Sequence, residues 1–227
     1  MSECLDSFYQ SMWQEAKLNF SRGECSIDKM IGNKNDTRRG ITLLARPNQI
    51  IANRIIDFQN ELKKIDSNQY FQPTSDLHMT ILSIISCYAG FTLDQISLSD
   101  YQSIINQSVS KTIKVRFEGV TASNSAILIQ GYPEDNDLDL LRENLRSAFK
   151  TSELQNSIDS RYKINTAHMT VMRFYKPMEN HLEFTQTLEK YRDYDFGTIE
   201  IKKLNLVFND WYQRREIVKD LATFDLG

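Results

Sequence analysis

Cysteine is scarce in this chain of 227 residues, and its placement excludes two kinds of structural chemistry. The three cysteines, Cys4, Cys25 and Cys87, are odd in number and far apart, and no Cys-x-x-Cys pair occurs. Neither a disulfide framework nor a cysteine zinc site is therefore expected. A reducing compartment such as the cytoplasm is the simplest setting.

Long apolar runs are missing as well. The most apolar stretches, such as ITLLA at 41–45 and ILSII at 81–85, are far shorter than the roughly 18 residues that suggest a membrane span. The N-terminus carries early acidic residues and no basic region followed by an apolar one, so no signal peptide is expected. We therefore expect a cytoplasmic protein that has no membrane partner.

An excess of positive charge is the third absence. The formal net charge is −3 and the pI is about 5.7. A protein that coats extended nucleic acid needs many clustered Lys and Arg side chains to replace counterions, so that class is disfavoured. A small phosphorylated substrate remains possible, because it needs only a local positive site.

Hydrophobic residues make up 41% of the chain and charged residues 25%, which is typical of a globular protein. Apolar residues at helical spacing predict helices over 4–20, 48–64, 137–150 and 180–193. Asn48 is the expected N-cap of the second helix. Alternating or continuous apolar runs predict strands over 41–47, 77–85, 112–120, 125–132 and 162–175, followed by further strands near the C-terminus.

The order strand, helix, strand occurs once in each half of the chain. No low-complexity segment separates the halves, so we expect an α+β fold with two pseudo-symmetric lobes in one domain. This bilobal domain is predicted over 38–227, after an N-terminal helical extension over 1–37. We favour a monomer.

The tripeptide His-Met-Thr stands on the second predicted strand of each half, as DLHMTILSI from Asp76 and TAHMTVMRF from Thr166. The two copies contain two of the three histidines in the chain. Side chains alternate between the faces of a strand, so the histidine and threonine of each copy share one face while the methionine points the other way. Side by side, the two strands would line a cleft with two imidazoles and two hydroxyls.

This set of side chains suits the cleavage of a phosphodiester. A neutral imidazole can take a proton from the attacking water while a protonated one donates to the leaving ribose oxygen, and the ordinary pKa of histidine allows both states near neutral pH. Threonine hydroxyls can donate hydrogen bonds to the non-bridging phosphate oxygens. No metal ion or cofactor is needed for this chemistry.

The motifs LHMTI and AHMTV resemble the paired His-x-Thr signatures of the two-histidine (2H) phosphoesterase superfamily, which includes RNA 2′,3′-cyclic phosphodiesterases, also called 2′-5′ RNA ligases. The resemblance covers roughly residues 38–220 and implies a bilobal α+β fold with antiparallel sheets that line a central cleft. It implies a metal-independent phosphodiesterase for RNA ends with a 2′,3′-cyclic phosphate or for small 2′-5′-linked or cyclic nucleotides. It also implies specific roles: His78 and His168 as the acid–base pair, and Thr80, Thr170 and Arg173 as phosphate ligands.

Two features depart from the common form of the motif. Many members continue the first motif with an aromatic residue and then a glycine, where this chain has Ser83 and Ile85. A proline often precedes the second histidine, where this chain has Ala167. The resemblance therefore indicates the reaction class and leaves the substrate open.

Several other residues are candidates for the site. Arg173 has the wrong strand parity to share a face with His168 and Thr170, and it could reach the phosphate only through a bulge or a strand end. A nucleotide substrate needs an aromatic side chain for base stacking, and the candidates near strand ends are Tyr70, Phe71, Tyr175, Trp211 and Tyr212. Exposed or structural roles are expected for Lys163, His181, Cys87 and the arginine pairs at 38–39 and 214–215.

Two alternatives to a metal-independent enzyme remain open. A non-catalytic relative would bind nucleotides or RNA ends in the same pocket without turnover. A metal hydrolase would use His78, His168 and Asp76 as ligands, since strand alternation places Asp76 on the face of His78.

Overall fold

The computed structural model describes the backbone of residues 2–227 and the side chains from residue 4 onward. The helices in this range are α1 (Ser2–Phe20), α2 (Gln49–Ile65), α3 (Leu98–Ser108), α4 (Asp137–Thr151) and α5 (His181–Lys190). The strands are β1 (Arg38–Ala45), β2 (Tyr70–Phe71), β3 (Met79–Ala89), β4 (Ile113–Ser123), β5 (Ala126–Pro133), β6 (Met169–Arg173), β7 (Asp195–Ile201), β8 (Lys203–Asn209) and β9 (Lys219–Asp225).

The strands form one antiparallel sheet in the order β7-β4-β5-β6-β3-β1-β8-β9. Its first half holds β1, β3, β8 and β9, and its second half holds β4, β5, β6 and β7. Strand β6 joins them: one edge pairs with β5, and the other pairs with β3 at Met169 and with the short β2 at Met172 and Arg173. The predicted α+β fold with a duplicated strand–helix–strand unit is confirmed.

The helices pack on this sheet through the apolar faces that the sequence predicts. Helix α2 begins after Asn48, whose side-chain oxygen accepts a hydrogen bond of 2.9 Å from the backbone N–H of Ile51. This confirms the predicted N-cap. Helix α2 contacts α5, β6 and β7, while α4 contacts α3 and β3. Helix α3 lies in a stretch for which no element was predicted.

Helix α1 lies against the second half of the sheet. Its buried residues include Tyr9, Trp13, Ala16 and Phe20, which recur at helical spacing. The helix contacts β4, β5 and α5. The boundary between an extension over 1–37 and a domain over 38–227 stays a prediction.

The second motif strand is shorter than predicted. A strand was expected over 162–175, but β6 comprises only Met169–Arg173. Ahead of it, two backbone carbonyls accept hydrogen bonds from arginine side chains of α4 instead of from a strand: Ile164 from Arg146 at 2.9 Å and Thr166 from Arg142 at 2.8 Å. The segment before His168 therefore runs as an irregular chain held by side chains.

In the part of the chain that the structure describes, no helix combines the length and the apolar character needed to cross a bilayer.

Gly131 of β5 lies so close to the second motif that a larger residue does not fit. A Cβ atom built on Gly131 would lie 1.6 Å from the carbonyl oxygen of Ala167. We expect Gly131→Ala to lower the free energy of unfolding by about 3 kcal/mol, because backbone must move to relieve the overlap. Urea denaturation followed by circular dichroism measures this change.

Gly90→Ala is the matched control. A Cβ at Gly90 meets no atom within 4 Å, so only its positive φ of 87° is strained, at a cost of about 1 kcal/mol. Equal losses in the two variants would contradict the steric explanation for Gly131.

Candidate active site

The two His-Met-Thr motifs lie side by side because Met79 of β3 pairs with Met169 of β6 in antiparallel register. Continued by one residue in each direction, this register sets each histidine opposite the threonine of the other motif. The four side chains line one cleft, which contains about 720 Å³ including the part open to solvent: His78, Thr80, His168 and Thr170. The structure thus brings together the four residues of the predicted catalytic core.

The His78 imidazole is oriented by the backbone just before it. Its Nδ1 lies 2.7 Å from the carbonyl oxygen of Asp76. A carbonyl can only accept a hydrogen bond, so Nδ1 carries the proton and Nε2 of the neutral ring has a free lone pair. His78 can therefore take up a proton at Nε2.

Asp76 itself does not share a strand face with His78, and this corrects the expectation on which the metal-hydrolase alternative depends. Residues Thr74–Asp76 form a 3₁₀ turn rather than a strand. The Asp76 carboxylate accepts hydrogen bonds from the Ser75 hydroxyl at 2.7 Å and from the backbone N–H of Arg215 at 3.1 Å. Among residues 4–227, no group of three or more His, Cys, Asp or Glu side chains is arranged to hold a metal ion.

The His168 imidazole has a side-chain partner in the corresponding place. Its Nδ1 lies 2.7 Å from the Oγ1 of Thr166, two residues earlier. A hydroxyl can donate or accept, so this contact fits either neutral tautomer of the His168 ring.

Burial lowers the pKa of both catalytic candidates, His78 and His168, to about 4. Positive charge near each ring acts in the same direction: Arg173 affects both, and Arg142 affects His168. Both rings are half-buried and keep an edge in the cleft. They are therefore neutral near pH 7 in the free protein, and the negative charge of a bound phosphate would raise the pKa of each.

A β-bulge follows directly after each motif. The extra residue is Ile81 in β3 and Val171 in β6, as the shifts in register show. Each bulge reverses the alternation of side chains, so the third residue after each threonine faces the cleft: Ser83 in the first half and Arg173 in the second. Arg173 thus reaches the cleft through a bulge, one of the two routes that strand parity left open.

The Arg173 guanidinium is free to bind an anion. Its Nε is buried without a hydrogen-bond partner, and its side chain forms no ion pair within the described part of the chain. The Arg173 guanidinium lies over the ring of Tyr212, 5.9 Å from its centroid. Burial lowers the pKa of Arg173, which means that binding a phosphate there would relieve an unfavourable buried charge.

A family model described as the AKAP7 2′5′ RNA ligase-like domain matches residues 43–214, a span that includes both motifs. The chain belongs to this family. The family is part of the 2H phosphoesterase superfamily, and membership supports a phosphoesterase type of function.

Solved structures share the fold of this 2′5′ RNA ligase-like domain. TT0787 of Thermus thermophilus matches with a TM-score of 0.61 and 15% identity over 83% of this chain and 97% of its own. E. coli LigT complexed with 3′-AMP matches with a TM-score of 0.56 and 10% identity over 83% and 98%. ATU0111 of Agrobacterium tumefaciens matches with a TM-score of 0.56 and 13% identity over 93% and 99%. No curated protein matches the sequence.

Trp211 is the predicted aromatic residue that lines the 2H cleft. Two guanidinium groups lie near its ring: that of Arg161 is 4.7 Å from the ring centroid, and that of Arg38 is 5.6 Å from it. Tyr162 also lines the cleft and is 65% exposed. Sequence reasoning missed Tyr162 and Arg161, which precede the second motif in the irregular segment.

The other predicted aromatic residues lie outside the cleft lining. Tyr212 is buried, and its hydroxyl lies 3.0 Å from both carboxylate oxygens of Asp28. Tyr175 packs beside Lys176, and Tyr70 and Phe71 form β2. Tyr175 and Tyr212, which were expected to meet a base, are therefore not among the residues that line this cleft.

The remaining candidates occupy structural positions. The Cys87 thiol lines the cleft, but burial raises its pKa to about 12, so it is a poor nucleophile. Lys163 pairs with Glu143 at 2.9 Å, and His181 begins α5 beside Gly23. The arginine pairs are bound mainly to nearby acids or carbonyls, through Asp36 for 38–39 and through Asp210 and Asp220 for 214–215.

Arg142 is the residue behind the site that sequence reasoning missed. Its Nε donates to the carbonyl of Ile81 at 3.0 Å, and its Nη2 donates to the carbonyls of Thr80 at 3.0 Å and Thr166 at 2.8 Å. One guanidinium therefore links the two motif segments from behind. A signal was available, because Arg142 stands four residues after Leu138 on the apolar face of α4.

We expect Arg142→Met to lower the free energy of unfolding by about 3 kcal/mol, since it leaves buried carbonyl groups of both motifs without a donor. Urea denaturation of the purified variant measures the loss. Lys150→Met, on the exposed side of the same helix, is the control and should change stability by less than about 0.5 kcal/mol. A similar, small effect of both substitutions would show that the Arg142 hydrogen bonds contribute little.

Proposed function

We propose that the protein is a metal-independent phosphodiesterase that cleaves small nucleotides or RNA ends carrying a 2′,3′-cyclic phosphate or a 2′-5′ linkage. The observation that carries this proposal is the pairing of Met79 with Met169, which places two imidazoles and two hydroxyls around one cleft. Family membership supports the reaction class, and the cleft supports the acid–base chemistry.

In the proposed reaction one imidazole, His78 or His168, takes a proton from the attacking oxygen nucleophile through Nε2. The other imidazole, protonated, donates to the oxygen that leaves phosphorus. For a 2′,3′-cyclic phosphate with water as nucleophile, one P–O bond forms and one breaks. The product keeps a single phosphomonoester on the 2′ or 3′ oxygen.

Charge on the phosphate is held by groups on the same cleft face. The Thr80 and Thr170 hydroxyls can donate to the non-bridging oxygens, and the unpaired guanidinium of Arg173 supplies the positive charge. Such fixed donors stabilise a transition state because they need no reorganisation when charge develops.

The cleft also suits a nucleoside. Trp211 offers a ring for base stacking at its edge. The similar fold of E. coli LigT, solved with 3′-AMP, supports a nucleotide as the occupant.

The two imidazoles give the main test. We expect His78→Ala and His168→Ala each to lower turnover at least about 100-fold, measured with 2′,3′-cyclic mononucleotides, 2′-5′ dinucleotides and ADP-ribose cyclic phosphate in the presence of EDTA. His181→Ala removes the third histidine, lies outside the cleft, and should keep full activity. Full activity in either cleft variant would contradict the assignment. Loss of wild-type activity in EDTA would favour a metal enzyme. Tight binding without turnover by the wild type would identify a non-catalytic relative.

The lowered histidine pKa values predict an acid-shifted pH profile. One ring must be protonated, and both have a pKa of about 4 in the free protein, so the active protonation state becomes scarcer as pH rises. We expect kcat/KM to fall between about pH 5 and pH 8. The profile of kcat should lie at higher pH, because bound phosphate raises the pKa of the imidazoles. A kcat/KM that rises steadily from pH 5 to pH 8 would contradict this.

A further inference from the structure

Three residues that line the cleft have a buried polar atom without a hydrogen-bond partner in the protein. Between residues 4 and 227, six side chains have such an atom. Three of the six belong to the cleft lining: Arg173, Asn209 and Gln213. Because buried polar groups in folded proteins are nearly always paired, their concentration in one cleft indicates that a ligand is their partner.

These three side chains suit two different parts of a ligand. The guanidinium of Arg173 is a donor and suits a phosphate. The unpaired atoms of the other two are amide oxygens, Oδ1 of Asn209 and Oε1 of Gln213, which can only accept a hydrogen bond. An ionised phosphodiester has no N–H or O–H to donate to them. The two amide oxygens therefore suit a part of the substrate other than its phosphate.

The orientation of the Asn209 amide follows from its nitrogen. Nδ2 donates to the carbonyl oxygen of Asp210 at 2.8 Å. A carbonyl can only accept, so the opposite orientation of the amide would set two oxygens against each other. The side chain is 3% exposed. Asn209 is therefore a buried acceptor whose amide is held in one orientation.

Gln213 has a backbone conformation that is disfavoured for its residue type. Its φ is 59°, in the left-handed region, and among residues 2–227 the only other non-glycine residue there is Asp159, a type that tolerates it. The N–H of Gln213 donates to the Asp210 carbonyl at 3.3 Å, which closes a tight turn. Glycine would adopt this turn without strain, so a glutamine that is 4% exposed indicates a role for the side chain.

Trp211 lies between the two amide residues in the chain. Asn209 ends β8, Trp211 and Gln213 follow at alternate positions, and all three line the cleft. An indole ring supports the stacking of a nucleobase, and a stacked base exposes its N–H groups at its edge. Acceptors in the same cleft as a stacking ring therefore suit the edge of a base.

We propose that Asn209 and Gln213 are specificity-determining residues that select a nucleobase with an exocyclic amino group, as on adenine or cytosine. This selection rests on the proposed function, because it names the substrate class of the same cleft. The amino group has two N–H donors, one for each amide oxygen. Uracil has an oxygen in the corresponding place, which two acceptors repel.

Matched substrates test this selection in the wild type. Adenosine 2′,3′-cyclic phosphate and its purine riboside analogue differ only by the amino group, and the cytidine and uridine 2′,3′-cyclic phosphates form a second pair. We expect kcat/KM to favour the amino-bearing member at least about tenfold in one pair or both. Equal values within both pairs would overturn the selection.

Two substitutions test the residues themselves. Gln213→Met keeps the length of the side chain and removes the amide, and Asn209→Leu removes the second acceptor. Each should bring the ratio of kcat/KM within a pair toward one, because the amino group loses an acceptor. Thermal unfolding shows whether each variant is folded. An equal fall for both members of each pair would place the contact on the ribose and overturn the selection of the base.

Gln72→Met is the matched control. Gln72 is 1% exposed and also has an unpaired Oε1, but it lies outside the cleft lining. Its Nε2 donates to the carbonyl of Tyr212 at 3.0 Å, directly before Gln213. The substitution therefore disturbs the same turn from outside the cleft and should leave the ratio unchanged. Equal losses of the ratio in Gln72→Met and Gln213→Met would show a distorted turn instead of base selection.

Calorimetric titration separates base selection from catalysis. The ligands are the 3′-monophosphates of adenosine, purine riboside, cytidine and uridine. We expect the wild type to bind the amino-bearing member of one pair or both at least about tenfold more tightly. This preference without turnover of any cyclic phosphate would refute the proposed function and support the selection. Turnover with equal affinities within both pairs would do the reverse, and absence of both would refute both.

Discussion

The antiparallel pairing of Met79 with Met169 is the contact on which the site depends. The two histidines are separated by ninety residues, and each stands one residue before this pair. A shift of one residue in either strand would turn a histidine and its threonine to the opposite face. The cleft is therefore a property of register, and the methionines, which take no part in the chemistry, are the residues whose backbones set it.

Several polar residues behind the sheet hold this register in place. The β6 bulge leaves the Val171 carbonyl free, and it accepts from the Gln59 side chain at 2.8 Å and from the Gln72 backbone at 2.9 Å. Arg142 similarly links carbonyls of the two motif segments. Buried polar groups of this kind are costly when unpaired. A shifted register would break these contacts and is therefore less stable. The chain thus uses satisfied polar bonds to make one arrangement of the halves unique.

Strand alternation was enough to predict that the histidine and threonine of each motif share one face, because each motif spans only three consecutive residues. The structure places these four side chains, His78, Thr80, His168 and Thr170, in one cleft. Strand alternation failed a few residues further along, because the sequence does not indicate a β-bulge. Arg173 reaches the cleft only through such a bulge. The predicted length of β6 was also wrong. Ahead of β6, arginine side chains of α4 take the place of the neighbouring strand that the prediction assumed. For the aromatic candidates, a position near a strand end does not indicate which side chain lines the cleft.

Gly131 has a consequence for the tolerance of this chain to mutation. It stands more than thirty residues before His168 and has no functional group, so an inventory of active-site residues would pass over it. Yet one added carbon atom would meet the Ala167 carbonyl and displace the segment that carries the imidazole. In terms of permitted variation, position 131 belongs to the active site, and what it contributes there is the absence of a side chain.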